Sequence, residues 1–182
     1  MSSQMTLTEN APLVLDSTCS SLKIWPRYAS LRMDICREVR PDVCASATHL
    51  PFRDGAFSAF YCDPPHRVGV TQEPKIFGKD KDYPRFGYWK SRKEWLHFLG
   101  LINQEFIRCL KTNGLFHLKI TDGAVSSSTI GMRDVAHLTN FEEEHIKRTA
   151  SMGYFATLNK KKYGIQSYTV FLTMKPKRTE SK

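Results

Sequence analysis

Four short apolar runs in the first third of the chain each end in a polar residue, and this pattern limits the folds open to the chain. The residues at their ends are Asp16, Asp34, Ser46 and Asp63. Short apolar runs between turn residues are typical of buried strands, which occur mainly in parallel α/β sheets. Such sheets bind ligands beyond the carboxyl ends of their strands. The pattern therefore predicts an α/β fold with a polar site along one sheet edge.

The fourth run, Phe57 to Cys62, stops at Asp63-Pro64-Pro65. Proline has no N–H and a fixed φ, so a double proline cannot continue a central strand. Further along, Ser91 and Glu94 form a capping box, which predicts a helix. We expect that helix to end at Gly114 in a left-handed cap.

A second capping box, Thr139 to Glu142, predicts another helix over 139–152. Further strands are expected at 115–120, 155–158 and 168–174, which completes a seven-stranded mixed sheet with helices on both faces. The length of 182 residues suits a single domain over 1–182. Residues 1–11 and 176–182 are expected to be loose.

The composition, with 41% hydrophobic and 25% charged residues, is that of an ordinary globular protein. No apolar run approaches the roughly 18 residues that a membrane span needs, and residues 1–12 do not resemble a signal peptide. The five cysteines form no CxxC pair. They predict reduced thiols, a cytoplasmic location and no metal site.

The net charge of +9 favours a polyanionic partner. Residues 67–93 form a predicted long loop in which basic and aromatic side chains alternate. This combination is typical of a surface that holds a splayed nucleic-acid strand. A lid that packs its aromatic residues on the sheet is the alternative. The candidate nucleic-acid contacts are Lys79, Lys81, Arg85, Tyr88 and Trp89.

The motif Asp63-Pro64-Pro65-His66 at the end of a strand resembles that of class I S-adenosylmethionine-dependent methyltransferases of the amino-methylating, Asp-Pro-Pro-aromatic type. The segments 13–20, 50–57 and 109–115 fit the same family in order and spacing. The resemblance is nearest to small microbial and phage proteins with Asp-Pro-Pro-His at this place. It implies a Rossmann-like methyltransferase fold.

The resemblance also implies S-adenosyl-L-methionine as the cofactor. Asp34 would bind the ribose hydroxyls, Ser46 and Ala47 would lie beside the adenine, and Asp63 would border the cofactor. The first cofactor loop would consist of Asp16, Ser17, Thr18, Cys19 and Ser20. The family's Gly-x-Gly is replaced in this loop by small side chains, which allow a similar approach. Their hydroxyls are candidates to bind the methionine carboxylate.

The Asp63 motif suits the methylation of a nucleobase amine, whose lone pair is delocalised into the ring. Asp63 and the carbonyl of Pro64 would accept its two N–H bonds and localise that lone pair. His66 would stack on the base. A cysteine nucleophile is rejected, because Cys62 points to the opposite side of the strand from Asp63.

The predicted function is methyl transfer to an exocyclic amino nitrogen in RNA or DNA, with N6 of adenine before N4 of cytosine or N2 of guanine. Because no separate recognition domain is evident, a single-stranded target, a short site or a partner protein is expected. The alternatives are a methyltransferase of a small-molecule or protein amine or amide, and an inactive nucleic-acid-binding module.

Overall fold

The computed structural model describes residues 12–18, 29–65, 68, 89–123, 132–150 and 167–177. The seven strands are β1 (Val14–Asp16), β2 (Leu31–Asp34), β3 (Val43–Cys44), β4 (Phe57–Cys62), β5 (Leu110–Gly123), β6 (Phe141–Ala150) and β7 (Ser167–Pro176). The helices are α1 (Arg92–Cys109) and α2 (Met132–Val135), with a short 3-10 turn at Arg37–Val39.

The strands form one sheet in the order β3-β2-β1-β4-β5-β7-β6. Strands β1 to β5 are parallel, whereas β7 runs antiparallel to both of its neighbours. The predicted seven-stranded mixed sheet is therefore confirmed. The strand order reverses between β1 and β4, and such a switch point is where open α/β sheets bind ligands.

Helix α1 covers one face of the sheet with a buried stripe of Trp95, Leu99, Ile102 and Phe106. Phe106 stacks on Phe60 with ring centroids 4.6 Å apart. Cys62, two residues after Phe60, is fully buried, and burial raises the pKa of its thiol to about 12. The prediction that Cys62 packs in the core is confirmed.

The start of α1 follows the sequence prediction, but its end does not. The Ser91 hydroxyl accepts a hydrogen bond from the Glu94 N–H at 3.2 Å, as in a capping box. The helix stops at Cys109, because Leu110 already pairs with Phe57 in the sheet. The prediction of a left-handed helix cap at Gly114 is therefore wrong. Gly114 lies inside β5 without a positive φ, where an added Cβ would stand 2.5 Å from Leu110 Cγ.

The predicted helix over 139–152 is also wrong, because residues 141–150 form β6 and pair with β7. The residues that were expected to cap this helix form hydrogen bonds with Asn103 of α1 instead. The Thr139 hydroxyl accepts from the Asn103 side chain at 3.2 Å, and the Asn140 N–H donates to the Asn103 Oδ1 at 3.0 Å. The hydrogen-bond ladder offered by β7 outweighs the local helical signal.

The carboxyl-terminal strand runs further than expected. β7 continues through Pro176, and the Lys177 N–H donates to the Asn140 carbonyl at 2.9 Å. The tail at 176–182 is thus anchored at its first two residues. The predicted strand at 155–158 and the terminus at 1–11 lie outside the described residues. No helix in the described part of the chain is long and apolar enough to cross a membrane.

Replacing Gly114 with alanine is expected to destabilise the fold by about 1–3 kcal/mol, because the new methyl group overlaps Leu110. Gly100 in α1 is the matched control, since an added Cβ there meets nothing within 4 Å. Gly100→Ala should raise stability by about 0.5–1 kcal/mol. Urea unfolding of both variants tests this. Equal effects of the two substitutions would contradict the packing role of Gly114.

Candidate active site

Three carboxylates lie along one edge of the sheet, at the ends of adjacent parallel strands. Asp16 is in register with Arg32 of β2 and with Tyr61 of β4. Asp34 and Asp63 each follow two residues after those partners, so they lie further along the same edge. The structure therefore brings together the three acidic residues that the sequence singled out.

The glycine-less loop after β1 is tied to the end of β4 by its hydroxyl residues. The N–H and the hydroxyl of Ser17 both donate to the Tyr61 carbonyl, at 2.9 and 3.0 Å. The Thr18 hydroxyl accepts from the Asp63 N–H at 2.6 Å. The buried Ser17 therefore holds β4, whereas the sequence suggested that these hydroxyls bind the methionine carboxylate. Glycine would not make either side-chain contact.

Asp16 is buried at the end of β1, and burial raises the pKa of its carboxyl to about 6. The negative charges of Asp63 and Asp34 raise the pKa further, while the Thr18 N–H bond and the Arg32 charge lower it. The sheet edge thus concentrates negative charge at its centre.

An ion pair between Asp63 and Lys119 is the part of the site that sequence reasoning missed. The Lys119 Nζ lies 2.7 Å from the Asp63 Oδ2, and only 18% and 10% of the two side chains are exposed. The signal was present in the alternation of polar and apolar residues in β5, where His117 and Lys119 share one face. Lys119 lies beside Asp63 because Cys62 pairs with Leu118.

A flat pair of rings lies on the same strands. Tyr61 stacks on His117 with centroids 4.5 Å apart and planes 13° from parallel. The His117 Nδ1 is 3.1 Å from the Thr173 hydroxyl. Burial lowers the pKa of His117, so this ring is neutral near pH 7.

At the β2 end of the edge, the Asp34 Oδ1 accepts from the Cys36 N–H at 2.9 Å. Ile35, between them, is 74% exposed, which is exceptional among the large apolar side chains that the structure describes. The Ser46 hydroxyl is bound to the Thr48 hydroxyl at 2.8 Å and so shapes its own turn, while Ala47 is buried. The edge therefore offers a carboxylate beside an apolar surface.

Trp89 anchors the Asp-Pro-Pro turn. Its indole N–H donates to the Pro65 carbonyl at 2.9 Å, and its ring packs 4.7 Å from that of Phe98. Trp89 is half-buried and packs against the core, as expected of a lid that packs its aromatic residues on the sheet, and its predicted contact with nucleic acid stays a prediction. The remaining site residues predicted from the sequence lie outside the described residues: Cys19, Ser20, His66, Lys79, Lys81, Arg85 and Tyr88. No group of three or more His, Cys, Asp or Glu residues suited to a metal ion occurs in the ranges described.

No model of a known protein family and no curated protein matches this sequence. Several solved structures are similar to this chain in their fold. A SAM-dependent methyltransferase from Methanosarcina mazei matches with a TM-score of 0.56 at 13% identity, over 94% of this chain and 95% of that one. This chain has the class I methyltransferase fold.

Two further solved structures are similar to this chain. A protein from Pyrococcus horikoshii OT3 has a TM-score of 0.55 at 15% identity, covering 95% of this chain and 85% of its own. Geranyl diphosphate C-methyltransferase from Streptomyces coelicolor A3(2), solved with S-adenosyl-L-homocysteine, has a TM-score of 0.55 at 13% identity, covering 92% and 72%. At these identities the likeness concerns the methyltransferase fold alone.

The raised pKa of Asp16 predicts a specific pH dependence of stability. Between 3.8 and about 6, the folded carboxyl holds a proton that the unfolded one has lost. The free energy of unfolding therefore falls as the pH rises through this window, by about 3 kcal/mol. Asp16→Asn, which keeps the acceptor for Thr18, should lack this fall.

Urea unfolding of both proteins from pH 4 to pH 8 measures the difference. Asp54→Asn is the control, because Asp54 is an exposed carboxyl remote from the sheet edge. If the free energy of unfolding changes with pH in the same way in wild type and Asp16→Asn across this window, the raised pKa of Asp16 is contradicted.

Proposed function

We propose that this protein is an S-adenosyl-L-methionine-dependent methyltransferase that methylates an exocyclic amino nitrogen of a nucleobase in RNA or DNA, with N6 of adenine as the first candidate. The observation that carries the proposal is the position of the Asp63-Pro64 motif. Asp63 is fixed by Thr18 and Lys119 at the same sheet edge as Asp34. A nucleoside cofactor and a target amine would meet between these groups.

The residues of the edge fit such a cofactor. A carboxylate at the end of β2 can accept hydrogen bonds from ribose hydroxyls, and Asp34 occupies that place. Ile35, 74% exposed, offers an apolar surface to a purine ring. When bound, the cofactor supplies a methyl group activated by its sulfonium. The methyltransferase fold and the S-adenosyl-L-homocysteine in the Streptomyces structure support this assignment.

The chain's own contribution is to place the amine. The Asp63 carboxylate and the Pro64 carbonyl accept its N–H bonds, which localises the nitrogen lone pair toward the methyl group. The Thr18 bond to the Asp63 N–H and the Trp89 bond to the Pro65 carbonyl hold both ends of the turn. Such positioning supplies much of the rate in a transfer with an activated donor.

The basic charge supports nucleic acid as the target. With a net charge of +9, the protein attracts phosphate backbones. His66, Lys79, Lys81, Arg85 and Tyr88 remain predicted contacts in the loop that follows the motif. A single-stranded target or a partner protein would supply site recognition. The four described cysteines are free thiols, which agrees with a cytoplasmic enzyme.

Incubation with tritiated cofactor and total RNA or genomic DNA, followed by nucleoside mass spectrometry, tests the function. Wild type should produce one methylated amino-nucleoside. Asp63→Asn should lower the transfer rate about a hundredfold, since it weakens the placement of the amine. Its affinity for S-adenosyl-L-homocysteine, measured by calorimetry, should stay within a few-fold of wild type.

Glu143→Gln on the exposed β6 is the matched control and should retain full transfer. Asp34→Asn should weaken binding of S-adenosyl-L-homocysteine about tenfold, by loss of charged hydrogen bonds to the ribose. An inactive module would bind nucleic acid without binding S-adenosyl-L-homocysteine. Full transfer by Asp63→Asn would overturn the role of the motif.

A further inference from the structure

The Lys119 ammonium lies against the carboxylate that the proposed function assigns to the target amine. The contact between Nζ and Oδ2 is 2.7 Å, and both side chains are largely withdrawn from solvent. Charge interactions strengthen where water is excluded. Any group that binds Asp63 at this edge therefore meets a fixed cation beside it.

We propose that Lys119 is a specificity-determining residue that, together with Asp63, binds an amino group flanked by a ring-nitrogen acceptor. This inference rests on the proposed function. Asp63 accepts from the amino N–H, and Lys119 donates to the ring nitrogen. In adenine and cytosine, one carbon separates these two nitrogens. Two side-by-side bonds from an adjacent carboxylate and ammonium match that spacing.

The same pair disfavours other amines. An alkylamine is protonated at neutral pH and would be repelled by Lys119. On guanine, the Watson–Crick neighbour of the amino group is an N–H donor, which an ammonium cannot satisfy, so guanine offers the required acceptor only at N3 on its sugar edge. A protein carboxamide also presents a donor and an acceptor, but the net charge of +9 favours a polyanion.

The nearest ring on the same face of β5 does not compete with Lys119. Burial lowers the pKa of His117, two residues before it on β5, and so disfavours a second cation there. The Tyr61 ring covers His117. Lys119 is thus directed to Asp63 and to whatever binds there.

The test combines a change in the protein with a change in the substrate. Wild type and Lys119→Met are assayed on random-sequence single-stranded oligonucleotides, in RNA and in DNA. In parallel sets, adenine is replaced by 1-deazaadenine, or cytosine by 3-deazacytosine, and 7-deazaadenine, which keeps the nitrogen next to the amino-bearing carbon, is the substrate control. Loss of the ring nitrogen beside the methylated amine should lower wild-type kcat/KM about tenfold. In Lys119→Met the same replacement should have no further effect.

Lys119→Arg should retain part of the discrimination, and Lys147→Met, an exposed lysine of β6, is the control. Affinity for S-adenosyl-L-homocysteine shows whether each variant is folded. The substrate replacement in wild type needs no variant at all. Methylation of adenine or cytosine without any effect of removing the flanking ring nitrogen would overturn the role of Lys119 and leave the proposed function standing.

If wild type methylates no nucleobase, the proposed function itself fails. A glutamine-containing peptide assayed in parallel shows whether a carboxamide is the target. Methylation of that peptide in place of the oligonucleotides would overturn both the proposed function and this inference.

Discussion

The geometry of the candidate site depends on the hydrogen bond between the Asp63 N–H and the Thr18 hydroxyl. At 2.6 Å it joins the loop after β1 to the turn after β4, which are the two strands at the switch point of the sheet. A loop with glycines at these positions makes no side-chain contact of this kind. Ser17 and Thr18 thus fix the start of the turn after β4, and the Thr18 hydroxyl holds the main chain at Asp63.

Charge balance along the edge follows from that placement. Asp16, Asp34 and Asp63 would repel one another if all were ionised and isolated. Burial raises the pKa of Asp16 to about 6, and Lys119 compensates Asp63. The result is an edge that carries negative charge beside one directed ammonium, and to this edge we assign the cationic sulfonium nucleoside and the aromatic amine of the proposed reaction.

Much of the sheet was predictable because its strands are short apolar runs with clear stops. Phe57 to Cys62 and the double proline fixed β4, and the polar ends of the runs located the edge. The prediction of a helix cap at Gly114 was wrong, because a glycine after a helical stretch can also allow close packing, which here is against Leu110. β6 was not predicted, because Thr139 and Asn140 look like a helix cap in the sequence but form hydrogen bonds with Asn103 instead. The Asn103–Thr139 contact spans 36 residues of sequence, which a local pattern does not reveal. The Asp63–Lys119 pair depends on strand register, which local patterns do not give.

A crystal structure with S-adenosyl-L-homocysteine shows directly whether this edge of the sheet holds the cofactor. We expect the ligand along the carboxyl edge of β1, β2 and β4, with its ribose hydroxyls on Asp34, its purine against Ile35 and its sulfur facing the Asp63-Pro64 turn. A ligand bound elsewhere, or a saturated crystal in which this edge holds none, would contradict it.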